Sequence, residues 1–258
     1  MDALVTAGGI PQPEEPLYPY TQGSCKALLD MAGKPMIQWV LDALSGAVQI
    51  EKVVVIGLDE SAGVTCAKPL TFMPNQGAML ENMLAGIEKV AEINPTARHV
   101  LIVSSDIPGI TPAMVDWAIE AVAQYDEDIY YNLIPRQAME SRYPGSKRTY
   151  TKLKGVEVCG GDMNVVRIMG ITRNRDTWEQ LIASRKNPLK QAAIIGFDTL
   201  FLVMLRQITL DDLVRRVARR LHMTGRAVLC PYAEIGMDVD KPHQLELMRA
   251  DLAGRAPA

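Results

Sequence analysis

The residues of this 258-residue chain that could do chemistry fall in three places. Near the start, Leu4 and Val5 end a short apolar run that breaks on Ala7, Gly8 and Gly9. Small residues there let backbone N–H groups approach an anion with no Cβ in the way. Lys26 follows after a loop, and the apolar Ala27, Leu28 and Leu29 behind it pin its stem. An ammonium is a compact point charge that suits a phosphate, so the glycine pair and Lys26 read together as a phosphate site. The second place is Asp106, in SSDIPGITPAMVDWAIEAV, and the third is DVDKP, where Asp238 and Asp240 precede Pro242.

Such residues need a sheet to hold them. The opening run is the end of a buried strand, and residues 53–56, an unbroken β-branched run closed by Gly57, read as a second strand of a parallel sheet. Residues 70–73 read as a short third strand, while residues 61–68 carry no assignable pattern. Residues 99–103 give the strongest strand signal, which places Asp106 just past a carboxyl end, where open α/β sheets put their ligands. Thr111 as N-cap and Pro112 as first helical residue leave Asp106 free of capping duty.

Between the strands, Met36, Ile37, Val40, Leu41 and Leu44 recur at helical spacing behind Pro35, and Leu80, Met83, Leu84, Ile87 and Val90 line one face of another helix. The loop before the latter holds Gln76, whose amide could both donate to and accept from a nucleobase edge. Residues 126–161 change character: short β-like pieces alternate with Pro, Gly and the basic Arg142, Lys147, Arg148, Lys152 and Lys154.

From Arg173 the pattern turns helical, over 176–184, then 188–205 behind Asn187, then 211–223 behind Thr209. The middle stretch, KQAAIIGFDTLFLVML, is apolar nearly all round and predicts a buried helix. Lys190, Asp198 and Arg206 bound it too closely for a membrane span. Residues 227–230 return to the sheet, and the last helix starts near Pro242, where Asp240 could be an N-cap as well as a site residue.

A hydrophobic content of 48% over this length supports one large α/β domain. Cys25, Cys66, Cys159 and Cys230 have no paired spacing, so neither a zinc site nor a disulfide framework is expected, and a reducing cytoplasm fits. The chain opens on strand-like residues without a basic leader, and no apolar run approaches the ~20 residues of a membrane helix. A net charge of −3 argues against nucleic acid as partner. Arg215, Arg216, Arg219 and Arg220 follow Asp211 and Asp212 at one-turn spacing, as on an ion-paired solvent face. His99, His222 and His243 belong to no serine or carboxylate constellation and read as structural.

TAGG, CKALL and GKPMI taken together resemble the signature of the MobA-like nucleotidyltransferases, the group that includes molybdenum-cofactor guanylyltransferases and sugar-phosphate or polyol-phosphate nucleotidyltransferases. The resemblance implies a single Rossmann-like three-layer α/β domain over residues 1–258, of GT-A type, with a mostly parallel central sheet. Its nucleotide half would span about 1–125, an inserted acceptor-binding lobe about 126–170, and C-terminal helices with a closing strand about 171–258. It implies transfer of NMP from a nucleoside triphosphate to a phosphorylated small acceptor, such as a sugar, polyol or cofactor phosphate, with release of pyrophosphate. No nucleic acid or membrane partner is implied, and a homodimer is compatible.

The roles implied are these: Ala7, Gly8 and Gly9 around the triphosphate with Lys26 as catalytic residue, and Gln76, Gly77 and Asn82 near the base. Asp106 and Asp240, with Asp238 as second choice to Asp240, would bind Mg2+. Lys147, Arg148, Gly161, Asp162 and Asn164 would meet the acceptor. The sequence departs from the family pattern in one respect. The family usually carries a further glycine and an arginine in the loop after the first glycines, whereas residues 10–24 hold no Arg or Lys, four prolines and two glutamates. The expectation is that cations from 142–152 take the arginine's place and that the stiff loop folds as a lid. Two other readings fit parts of the pattern: a GT-A-type glycosyltransferase using the DVD acids, and a nucleotide-sensing protein without turnover.

Overall fold

Strand β1 (Asp2–Thr6) is paired on both edges, and a hydrophobic cluster covers each of its faces. The computed structural model describes residues 1–173 and 196–255. On one side β1 runs parallel to β4 (Val53–Ile56), which is parallel in turn to β5 (Leu70–Met73); on the other it is parallel to β6 (His99–Ser104). Beyond β6 lie β10 (Met163–Arg167), antiparallel to it, and β7 (Ile129–Pro135), antiparallel to β10. β9 (Val156–Gly160) and β8 (Thr151–Leu153) follow, each antiparallel to its neighbour, and β11 (Gly225–Leu229) lies parallel to β7. In this nine-stranded sheet β9 and β10 run against the rest, so it is mostly parallel. A separate ribbon joins β2 (Asp30–Met31) to β3 (Lys34–Pro35).

Strand periodicity divides the core into two layers. Ala3, Val5, Val53 and Val55 face one hydrophobic cluster, into which α2 (Met36–Gly46), α4 (Pro112–Glu120) and α9 (Pro242–Ala253) also pack. Leu4, Val54 and Ile56 face the other, covered by α3 (Met79–Ile93) and α6 (Ile168–Arg173). Gly86 lets α3 lie against β1, because a Cβ there would stand 2.4 Å from a Leu4 methyl. The shorter α1 (Tyr18–Thr21) and α5 (Arg136–Arg142), with α7 (Phe197–Met204) and α8 (Leu210–Arg220), complete the described elements. Helices cover both faces of the sheet, giving a Rossmann-like α/β architecture.

Some expectations need correction. The helix over 176–184 and the start of the next lie outside the described residues. The described part of the second, α7, is not buried all round: Phe201 is 54% exposed and Met204 69%, while Leu202 and Val203 pack on Leu153, Val158 and Ile208. An all-apolar stretch does not say which face will find a partner, and here the edge of the sheet engages one side. Thr111 stands at the N-cap of α4 but makes no side-chain capping bond, whereas Thr209 caps α8 through the Asp212 N–H at 3.2 Å. On α8, Arg215 pairs with Asp212, but Arg216 and Arg220 both reach across to Asp198. The four cysteines are free thiols, and no described helix is long and apolar enough to cross a membrane.

Candidate active site

A cavity of about 780 Å³ opens at the carboxyl ends of β1 and β6, lined by Gly8, Gly9, Lys26, Asn82, Ser105, Asp106, Asp162, Asp238 and Asp240 among others. Local structure delivers each charge. The Lys26 N–H donates to the Gly9 carbonyl at 2.9 Å, which fastens the lysine to the glycine turn, and the buried Ala27 anchors the 3-10 turn that follows. Asp106 leaves β6 directly. Asp240 comes from the far end of the chain, held to Asp106 by a 2.9 Å bond from the Val239 N–H to the Asp106 carbonyl. Lys241, not Asp240, takes the N-cap position of α9, and Gln244 Oε1 accepts from the Asp240 N–H at 3.0 Å. The Asp240 carboxylate is therefore not the cap.

Lys26 Nζ bridges the two acids, 2.5 Å from Asp106 Oδ2 and 2.7 Å from Asp240 Oδ1. Burial works against the ammonium charge, but the two carboxylates more than offset it and hold Lys26 above the ordinary lysine range. Asp106 Oδ1 is buried without a hydrogen-bond partner. A buried carboxylate oxygen left open beside a second carboxylate is the donor set a hard divalent cation takes, so the pair fits Mg2+. Among the described residues no three His, Cys, Asp or Glu side chains converge as a metal cage. A divalent ion would draw its remaining oxygens from phosphates and water.

Asp162 lines the same cavity. Its backbone is fixed by donation to the Ile235 carbonyl at 2.8 Å and acceptance from the Ser104 N–H at 2.9 Å. Burial, then the charge of Asp106, push its carboxyl up to about 7, against a smaller opposing effect of Arg148. A carboxyl raised in the folded state favours folding while protonated and loses that contribution as pH climbs from its ordinary 3.8 through about 7. Thermal melts of Asp162→Asn against the parent should show the variant's advantage growing across that window and levelling above it. A gap independent of pH would mean that the carboxyl is well solvated.

The loop between β5 and α3 is organised by a residue that the sequence did not single out. Asn75 Nδ2 donates to the Gly8 carbonyl at 3.0 Å, and its Oδ1 accepts from the Gly77 N–H at 2.9 Å and from Asn82 Nδ2 at 3.0 Å. Asn82 Oδ1 in turn accepts from the Gln76 N–H at 2.7 Å, so the buried Asn82 shapes the loop with both ends of its amide. The Gln76 side chain folds back, donating to the Pro74 carbonyl at 2.8 Å, and does not line the cavity. An Asn two residues past a strand end and two before a glycine was the available signal, since Asn favours bonding to backbone two residues on. Gly57 supports the same junction: at φ +104° its missing Cβ would lie 2.3 Å from the Gly8 nitrogen. Asn75→Ala should raise the KM of the substrate that fills this cavity by about tenfold, the loss of one to two net hydrogen bonds, with kcat much less affected. Steady-state kinetics would show this, and a fall in kcat at constant KM would contradict it.

The residues from the later lobe separate. Asp162 lines the cavity, and Arg148 pairs with cavity-lining Asp238. Asn164 does not line the cavity: its Oδ1 accepts from the Asn132 N–H and its Nδ2 donates to the Gly161 carbonyl, both at 2.8 Å. A Cβ on Gly161 would come within 3.0 Å of the Asn132 carbonyl oxygen, and Lys147 is exposed at φ 54°. Of the cations expected to replace the loop arginine, Arg142 is committed elsewhere, to Glu234 at 2.8 Å and Asp251 at 2.6 Å, and Lys152 lies 3.9 Å from Glu157. The early loop reaches the cavity through Ile10, Pro11, Glu15, Pro16 and Leu17, a wall without a cation.

The fold is shared with known proteins. A hypothetical transferase from Thermus thermophilus superposes with a TM-score of 0.83 at 29% identity, covering 95% of this chain and 98% of its own. A CMP:2-keto-3-deoxy-manno-octonic acid synthetase complexed with CTP gives 0.60 at 17% identity over 99% of both chains. A 2-C-methyl-D-erythritol 4-phosphate cytidylyltransferase, also from Thermus thermophilus, gives 0.57 at 14%, over 98% of this chain and 100% of its own. These last two likenesses are of fold. No curated protein matches the chain by sequence. The MobA-like NTP transferase domain family matches residues 20–255, nearly the whole length, and with a mostly parallel sheet carrying a glycine turn, a lysine and paired aspartates at its carboxyl edge, the chain belongs to that family.

Proposed function

We propose that this nucleotidyltransferase moves NMP from a nucleoside triphosphate to a phosphorylated small acceptor, releasing pyrophosphate, within one domain whose later lobe receives the acceptor. The observation that carries the reading is Lys26 set between Asp106 and Asp240 beside the glycine turn. Phosphate binding at the turn would use the backbone around Ala7, Gly8 and Gly9. Lys26 would meet the charge that develops on the transferred group, and the Gly77 and Asn82 segment would wall the base. Asp106 and Asp240 would hold Mg2+, with Asp238, already paired to Arg148, behind them. Bound there, the ion supplies neutralisation and alignment of the phosphate oxygens. A phosphate acceptor is anionic at neutral pH, so the protein needs no strong general base, and positioning with preorganised charge does the remaining work.

The test is a pyrophosphate-release screen of the four NTPs with Mg2+ against phosphorylated sugars, polyols and pterin cofactors. One NTP and one acceptor should stand out. A second reading, nucleotide binding without turnover, is favoured by a specific feature: the early loop lines the cavity with Glu15 and with no cation. NTP bound with no pyrophosphate released for any acceptor would select it.

A further inference from the structure

The two carboxylates and the lysine between them differ in how firmly they are held. Asp106 and Asp240 are locked together through the Val239 N–H to Asp106 carbonyl bond, and Asp240 is braced again by Gln244. Lys26 is anchored at its backbone by Gly9, but its ammonium rides on a flexible four-carbon stem. The carboxylate pair is the fixed part of the site, and the cation within it is the movable part. Lys26 and Asp106 are largely shielded, at 16% and 13% side-chain exposure, whereas Asp240 is 56% exposed. The side of the pair that faces the cavity is open.

Lys26 thus stands in the position between the acids that a divalent ion requires, at 2.5 and 2.7 Å from their oxygens. An incoming free ion meets a carboxylate pair whose charge Lys26 already half offsets, and a like charge standing between the two. A triphosphate brings several negative oxygens to the glycine turn to which Lys26 is tied, and can draw the ammonium off both acids. On the nucleotidyltransferase reading above, we propose that the site takes its divalent ion as the metal–nucleotide complex rather than as a free ion, because Lys26 is a built-in counter-cation that the phosphates displace. The consequence is mutual: nucleotide and metal each raise the affinity for the other, beyond what chelation in solution gives.

The experiment measures Mn2+ binding to the full chain, by calorimetry and by the free-ion resonance signal, without nucleotide. Lys26→Met, and Lys26→Gln in case Met at this position disturbs folding, should bind Mn2+ at least about tenfold more tightly than the parent. Adding Asp106→Asn to Lys26→Met should abolish the gain, which places the ion between the acids. With an α,β-methylene NTP analogue present, the parent should gain Mn2+ affinity and the lysine variants should gain less. Parent and lysine variants of equal Mn2+ affinity would overturn the inference while leaving the nucleotidyltransferase reading intact. If the analogue binds to no form of the protein, with or without Mn2+, the functional reading fails instead, whatever the metal measurements show.

Discussion

Asp106→Ala should abolish metal-dependent nucleotide turnover while the protein stays folded; this is the largest effect expected of any single substitution here. Asp106 contributes one oxygen to Lys26 and holds the other buried and unpartnered beside the cavity. Removing the carboxylate would leave a divalent ion, held there on the proposed reading, with one acidic ligand, and would leave Lys26 a single partner, Asp240. Asp106→Asn keeps the volume and separates lost charge from lost packing. Asp240→Ala should match Asp106→Ala, and Asp238→Ala should do less, because Arg148 already takes up the Asp238 charge. Turnover and thermal melting measured together decide the matter. Parent-like turnover in Asp106→Ala would remove the assignment, and a larger loss from Asp238→Ala than from Asp240→Ala would move the closing ligand by two positions.

Lys26→Ala should lower kcat by about 10²-fold or more, the loss of one preorganised charge aimed at the transferred phosphoryl group. Its effect divides between two roles. In the free site Lys26 offsets one of the two negative charges that would otherwise repel each other, and on the proposed reading it would face the phosphates in turnover. Tighter Mn2+ binding with slower chemistry is the joint signature, since the substitution empties the cation position and removes the catalytic charge at once. A change confined to KM would assign Lys26 to ground-state binding alone.

The sequence determined a good deal of this protein. Unbroken β-branched runs such as residues 53–56 leave no solvent face, so they specify interior strands of a parallel sheet, and that sheet in turn fixes where its carboxyl edge lies. The glycine pair, Lys26 and the aspartate after the strongest strand were legible for the same reason: their positions relative to local elements are short-range facts. So was the proline start of the last helix at Pro242.

What the tertiary structure alone decided is which distant groups meet. Whether Asp240 caps a helix or faces Lys26 depends on a bond between Val239 and Asp106, segments far apart in the chain. Asn75 joins two turns whose contact exists only once β1, β4 and β5 lie side by side with Gly57 leaving room. Arg142 and Arg148 look alike in one basic patch, yet the fold offers Glu234 and Asp251 to the first and Asp238 to the second. The exposed face of α7 is the same lesson in apolar terms: composition sets a residue's preference for burial, but the partner surface belongs to the sheet edge. Local pattern fixes elements because backbone sterics and periodicity act over a few residues; side-chain pairing between segments remote in the chain is fixed only by packing.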